Sequence, residues 1–181
     1  MSGKIAVFLA EGFEEIEAVT PVDVLRRAGF EVVTIAIGDM LDVKGSHGVR
    51  YVADAFLDEC DSSDFCMSVF PGGLPGATNL AADSRVLKFA NDIYSKNGIV
   101  SAICAAPIAL AAAGLLHNKE YTCYPGFEKQ IGCAYTGKRV CVSGNVITAC
   151  GPGASLEFAM ALVNALGKST EQLQQGMQAN F

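Results

Sequence analysis

The sequence predicts an α/β protein: an open, doubly wound, mostly parallel sheet with helices on both faces. Three observations lead there. Lys4 to Ala10, Glu15 to Ala28 and Glu31 to Gly38 read as strand, helix and strand, a β-α-β unit that calls for a parallel pair and a right-handed crossover. Gly98 to Leu110 reads as a buried strand running straight into a helix. The chain is 51% hydrophobic and only 18% charged over 181 residues, which suits one domain, 1–181, with one substantial core.

Along the chain, the first helix carries an apolar stripe of Ile16, Val19, Val22 and Leu25 and stops at Gly29. Asp39 to Ala53 reads as an irregular hairpin with Val49 to Val52 as one arm. The acidic stretch Asp58 to Asp64 is a solvated loop or short helix. Phe65 to Phe70 is a strand, and Ser84 to Lys96 an amphipathic helix capped by Ser84. Ile99 to Ile103 is the central strand. Ala105 to Leu116 is rich in Ala and Leu and continues as helix, with Pro107 at an early position where its missing N–H costs little. Tyr121 to Tyr124 is a short strand, and Pro125 to Glu128 opens a turn. Arg139 to Val142 and Val146 to Ala149 pair across Ser143-Gly144-Asn145. Gly151-Pro152-Gly153 opens a core helix that runs through Leu166, and Ser169 to Met177 is a terminal helix.

The formal net charge of −6 argues against nucleic acid as a partner. No apolar run approaches a membrane span, and the run Ile5 to Ala10 is too short for a signal peptide, so a cytoplasmic location is expected. The seven cysteines are odd in number and form no CxxC pair, which fits small core residues better than a disulfide framework. With those thiols scattered and only His47 and His117 present, no metal is expected.

The chemistry concentrates at the strand-to-helix joint. Ala102, Ala105 and Ala106 leave room for a tight bend around Cys104, the arrangement that presents a nucleophile at an elbow. N–H groups at the helix start favour a thiolate there. A buried structural cysteine is the competing reading, and the joint favours the reactive one. Three further loops follow strand ends and can converge on it: 11–17, 71–76 and 124–128. Gly72 and Gly73 let the backbone approach a ligand, and the Gly73 and Ala105 amides could form an oxyanion hole; a plain tight turn is the alternative. Glu17 is flanked by Ile16, Ala18 and Val19; buried, it would hold a proton and bond a thiolate, whereas its residue type favours a solvated face. His47 and His117 read as loop histidines, and no Cys-His pair is visible.

Taken in order, Glu11-Gly12-Phe13-Glu14-Glu15-Ile16-Glu17, Pro21 to Gly29, Pro71-Gly72-Gly73, Ala102-Ile103-Cys104-Ala105-Ala106-Pro107 and Gly151-Pro152-Gly153 resemble the ThiJ/PfpI superfamily, in its DJ-type branch, over nearly the whole chain. The resemblance implies a flavodoxin-like homodimer. It implies that Cys104 is the reactive elbow cysteine, readily oxidised to sulfinate, that Glu17 is the buried acid bonded to its sulfur, and that Gly73 and Ala105 supply oxyanion-type amides. The activities it implies are a cofactor-free glyoxalase or deglycase acting on small dicarbonyls or aldehydes such as methylglyoxal, or alternatively redox sensing or chaperoning.

Two departures stand out. Tyr124 occupies the place of a His in some members; a phenol is a poor base at neutral pH but can donate a hydrogen bond, or serve as an aromatic lid. Cys150 and His47 stand where some members have Arg, which weakens the case for an anionic substrate. No His directly follows Cys104, against the reading as a protease of the kind found among more distant members.

Overall fold

The computed structural model describes residues 3–132 and 134–179; Cys133, counted among the scattered thiols, lies outside them. β1 (Lys4–Leu9) leads through α1 (Glu15–Arg27) to β2 (Val32–Ala36), which pairs parallel to β1 from Ile5 with Val32 to Leu9 with Ala36. The hairpin β3 (Asp42–Lys44) and β4 (Arg50–Val52) forms a separate small sheet, and β5 (Ala55–Phe56) joins the main sheet beside β2. The acidic stretch folds as two short 3-10 turns before β6 (Phe65–Phe70), which is buried along its whole length. Then come α2 (Gly76–Ala82), α3 (Ser84–Ser95), β7 (Ile99–Ile103) and α4 (Pro107–Ala112). β8 (Glu120–Tyr121), α5 (Glu128–Ile131) and β9 (Ala134–Tyr135) form a small excursion, with β8 and β9 paired. β10 (Val140–Ser143), β11 (Val146–Ala149), α6 (Ser155–Ala165) and α7 (Glu171–Gly176) complete the order.

The main sheet runs β10-β11-β7-β6-β1-β2-β5, parallel except for β10. From β1 the chain steps outward to β2, while from β6 it steps the other way to β7. Right-handed crossovers in opposite directions put their helices on opposite faces. α1 accordingly packs with α6, and α2, α3 and α4 pack together as a second group. The direction reverses between β1 and β6, and the loops leaving two such strands open a crevice at their C-terminal ends. Beneath it Phe8 stacks on Phe70 at 5.1 Å and meets the edge of Phe89 at 5.3 Å.

The expected α/β architecture is the one observed, with local corrections. The stripe of α1 is out of phase in its first turns. Ile16 and Val19 are exposed, and the inward side carries Glu17, Ala18, Pro21, Val22 and Leu25. Val22 and Leu25 are buried as expected, but a buried acid takes a core-facing position in the first turns, where Ile16 and Val19 point out. The cap of α3 is Asp83, which accepts the Arg85 N–H at 2.9 Å, rather than Ser84. The helix expected over 105–116 is only Pro107–Ala112, because Ala105 and Ala106 form the elbow and Gly114, at φ 75°, breaks the helix. The strand expected over 121–124 is β8 alone, the terminal helix is shorter than 169–177, and β5, α2, α5 and β9 were not anticipated.

Candidate active site

The crevice is laced by backbone. Glu14 N–H donates to Gly72 O at 2.8 Å, tying the loop after β1 to the loop after β6. The loops touch so closely that a Cβ on Gly73, at φ 86°, would overlap Glu14 N and lie 2.6 Å from Gly12 O. Cys104 N–H donates to Ala149 O at 2.9 Å, and Cys104 O accepts the Tyr124 N–H at 2.8 Å. Between these anchors Cys104 sits at φ 64°, in the left-handed region that a side chain rarely adopts. There its sulfur accepts from the Ala105 amide and, across from the loop after β6, from the Gly73 amide.

Glu17 meets the same sulfur. It is fully buried, which overturns the solvated-face reading. Its Oε2 accepts the Gly72 N–H at 2.8 Å, and its carboxyl is hydrogen-bonded to Cys104. Oε1 accepts from no N–H or O–H group. A buried carboxylate oxygen left this way is costly, and a proton on the carboxyl removes the cost. Burial pushes Glu17 from 4.5 up to about 7, and the nearby charge of Glu14 pushes the same way.

The Cys104 thiol is pushed up as well, by burial first and then by the charge of Glu17, against the pull of the Ala105 and Gly73 amides. The expectation that helix-start amides alone would favour a thiolate is corrected here: α4 is a short helix, and burial beside a carboxyl outweighs its amides. The two acids form a unit in which a second ionisation is strongly opposed.

Cys104, Glu17, Gly72, Gly73 and Ala105 are thus brought together. Tyr124 joins them through its backbone, while its ring is half-exposed and lies against Gly151. Glu14 and Glu15 at the start of α1 are buried too. Glu14 Oε2 caps α1 by accepting the Glu17 N–H at 2.8 Å. His47 does not stand free in its loop: its Nδ1 lies 2.9 Å from Glu15 Oε2. The only signal for that pair was the acidic cluster itself. The six cysteines among the described residues are all unpaired thiols.

Residues 3–165 match the family model described as DJ-1/PfpI family. Among curated proteins, Protein DJ-1 homolog B of Arabidopsis thaliana is 41% identical over 162 residues, which are 88% of this chain and 37% of that protein. The Parkinson disease protein 7 homolog of Danio rerio is 38% identical over 172 residues, 92% of this chain and 91% of that protein. The chain thus spans little more than a third of the first relative and nearly all of the second. Among solved structures, oxidised Toxoplasma gondii DJ-1 superposes with a TM-score of 0.95 at 31% identity, covering 99% of this chain and 100% of that one. Drosophila melanogaster DJ-1beta gives 0.93 at 35% identity, covering 100% of both chains.

Proposed function

The chain belongs to the DJ-1/PfpI family, and on that premise we propose that it is a cofactor-free glyoxalase or deglycase-like enzyme that uses Cys104 on small reactive carbonyls such as methylglyoxal. The observation that carries this reading is the pairing of the elbow sulfur with a fully buried carboxyl that holds its proton to about 7. Within the pair, a proton on Glu17 removes the charge that opposes thiolate formation and provides a donor to the sulfur. The sulfur has two amide donors, Gly73 and Ala105, where the carboxyl has one, Gly72. The reacting form of the pair in this reading is the one that carries its single negative charge on sulfur, beside the protonated carboxyl.

The thiolate adds to the aldehyde carbon of methylglyoxal and forms a hemithioacetal, whose oxygen takes up a proton. Glu17, left as carboxylate, removes the hydrogen from that carbon as a proton and returns it to the neighbouring ketone carbon, while the hemithioacetal hydroxyl proton passes to the former ketone oxygen, giving a lactoyl thioester. Water cleaves the thioester to lactate and frees the thiol. The sum is methylglyoxal plus water to lactate. The Gly73 and Ala105 amides stabilise the oxyanion formed on addition and on hydrolysis, and Tyr124 stands at the rim as a hydrogen-bond donor or lid.

The test is lactate release from methylglyoxal without glutathione or added metal. Wild type should turn over, and Cys104→Ser should fall to background. Full turnover by Cys104→Ser rejects the reading.

A second reading, a redox sensor whose Cys104 is oxidised to sulfinate, draws on the same donors around the sulfur. Both readings are of a cytoplasmic homodimer. Unpaired thiols suit a reducing compartment, no described helix is long and apolar enough to cross a membrane, and exposed Ile16 and Val19 on α1 offer an apolar contact face.

A further inference from the structure

We propose that Glu14, Glu15 and His47 form a binding site for one divalent first-row transition-metal ion of the zinc or cobalt type, beside the Cys104–Glu17 pair and separate from it. One carboxylate oxygen from each of Glu14 and Glu15 and one ring nitrogen of His47 lie within 4.8 Å of one another. Nδ1 stands 2.9 Å from Glu15 Oε2 and 3.8 Å from Glu14 Oε1. Ser46 Oγ lies 3.1 Å from Nδ1 and 3.3 Å from Glu15 Oε2, a fourth donor in reach. Metal bonds of ~2.1 Å place tetrahedral donors ~3.4 Å apart, so small movements suffice.

These carboxylates are not ordinary surface acids. The Glu14 and Glu15 side chains are only 9% and 11% exposed. Glu14 as a whole is 6% exposed, and among the described residues its Oε1, 3.8 Å from His47 Nδ1, accepts no hydrogen bond. Among the described residues no Lys or Arg pairs with either acid; the imidazole is their one cationic partner, and only when protonated. Two buried carboxylates facing one titratable ring are short of positive charge. An ion in place of the Nδ1 proton supplies it.

The donors are also held in place. Glu15 Oε1 accepts the His47 N–H at 2.7 Å and the Val49 N–H at 3.3 Å, and Glu14 Oε2 accepts the Glu17 N–H at 2.8 Å. One oxygen of each carboxyl is anchored by backbone and the other is presented, the arrangement that orients metal ligands. A ring nitrogen among a few oxygens suits zinc or cobalt; calcium and magnesium take larger all-oxygen shells. Counting only Cys and His in the sequence had pointed to no metal, because the carboxylates come together with His47 only in the fold. A dication here would also offset the negative charge that Glu14 exerts on Glu17.

The experiment is a Co²⁺ titration of the full, reduced chain, followed by visible absorption. The expected result is one ion per chain with ligand-field bands and no thiolate-to-cobalt charge-transfer absorption. Cys104→Ser should bind equally well, while His47→Gln should bind at least ~10-fold more weakly. His47 is largely exposed, so its replacement leaves the fold intact, as circular dichroism will verify; Glu15→Gln is the second variant and should show the same loss. Thiolate absorption, unchanged binding by His47→Gln, or no binding up to about 1 mM Co²⁺ each overturns the proposal. These outcomes are independent of whether methylglyoxal is turned over.

Discussion

Gly72 donates its N–H to Glu17 Oε2 at 2.8 Å while leaving no room for a side chain of its own. A Cβ there would stand 2.6 Å from Glu17 Oε2, 2.7 Å from Cys104 Cβ and 3.0 Å from Ile103 O. Gly72→Ala should cost ~1–3 kcal/mol of stability through this crowding and alter the rate of Cys104 alkylation. Urea unfolding and iodoacetamide labelling measure the two effects. Wild-type values in both would show that the carboxyl and the sulfur do not flank this residue.

The raised pKa of Glu17 has a definite sign in stability. Its folded value of about 7 exceeds its ordinary 4.5, so it favours the folded chain while protonated. That contribution is whole below the unfolded value and is lost as pH rises through about 7. Glu17→Gln does not titrate. Between about pH 4 and about pH 8, wild type should lose about 3 kcal/mol relative to that variant, measured by urea unfolding at each pH. A pH-independent difference would mean that Glu17 ionises normally.

The same variant separates proton transfer from nucleophilicity. Gln keeps the shape and an N–H donor but cannot carry a proton between carbons. Methylglyoxal turnover by Glu17→Gln should fall by ~100-fold or more, while Cys104 alkylation changes far less. Equal losses in both assays would assign Glu17 to activating the sulfur alone.

Peroxide should find Cys104 first. Cys60 and Cys66 are held up by burial, and neither has the paired amides and carboxyl that Cys104 has. Under limiting peroxide, peptide mass spectrometry should show two added oxygens on Cys104 before either of the others. Oxidation of all three at the same rate removes the sensor reading.

Ile16 and Val19 place exposed apolar surface on α1. Ile16→Asp should convert the proposed homodimer to monomer in sedimentation experiments, with folding retained because the side chain is outside the core. A dimer that survives this change uses another face.

What could be read from the chain depended on how local the cause was. The elbow was legible because a β-branched run, small residues and Pro107 lie together around Cys104. The same holds for Gly72 and Gly73 after an apolar strand. Glu17 was not, because its burial depends on Gly72, which lies 55 residues away, and the exposed Ile16 and Val19 gave the helix a misleading phase. Likewise Glu15 and His47 are 32 residues apart and meet only when the β3–β4 hairpin folds over the start of α1. Asp83 and Ser84 can both cap a helix, and only the backbone geometry decides between them. The resemblance supplied Glu17 where its own neighbours in the chain did not.

The border strand β5 is two residues long and passes directly into a 3-10 turn. A foreign strand trying to extend the sheet on that side would find two residues to pair with and then a backbone that curls away. Protection from fibre-like growth is thus built into the outline of the sheet there, without a proline or a buried lysine.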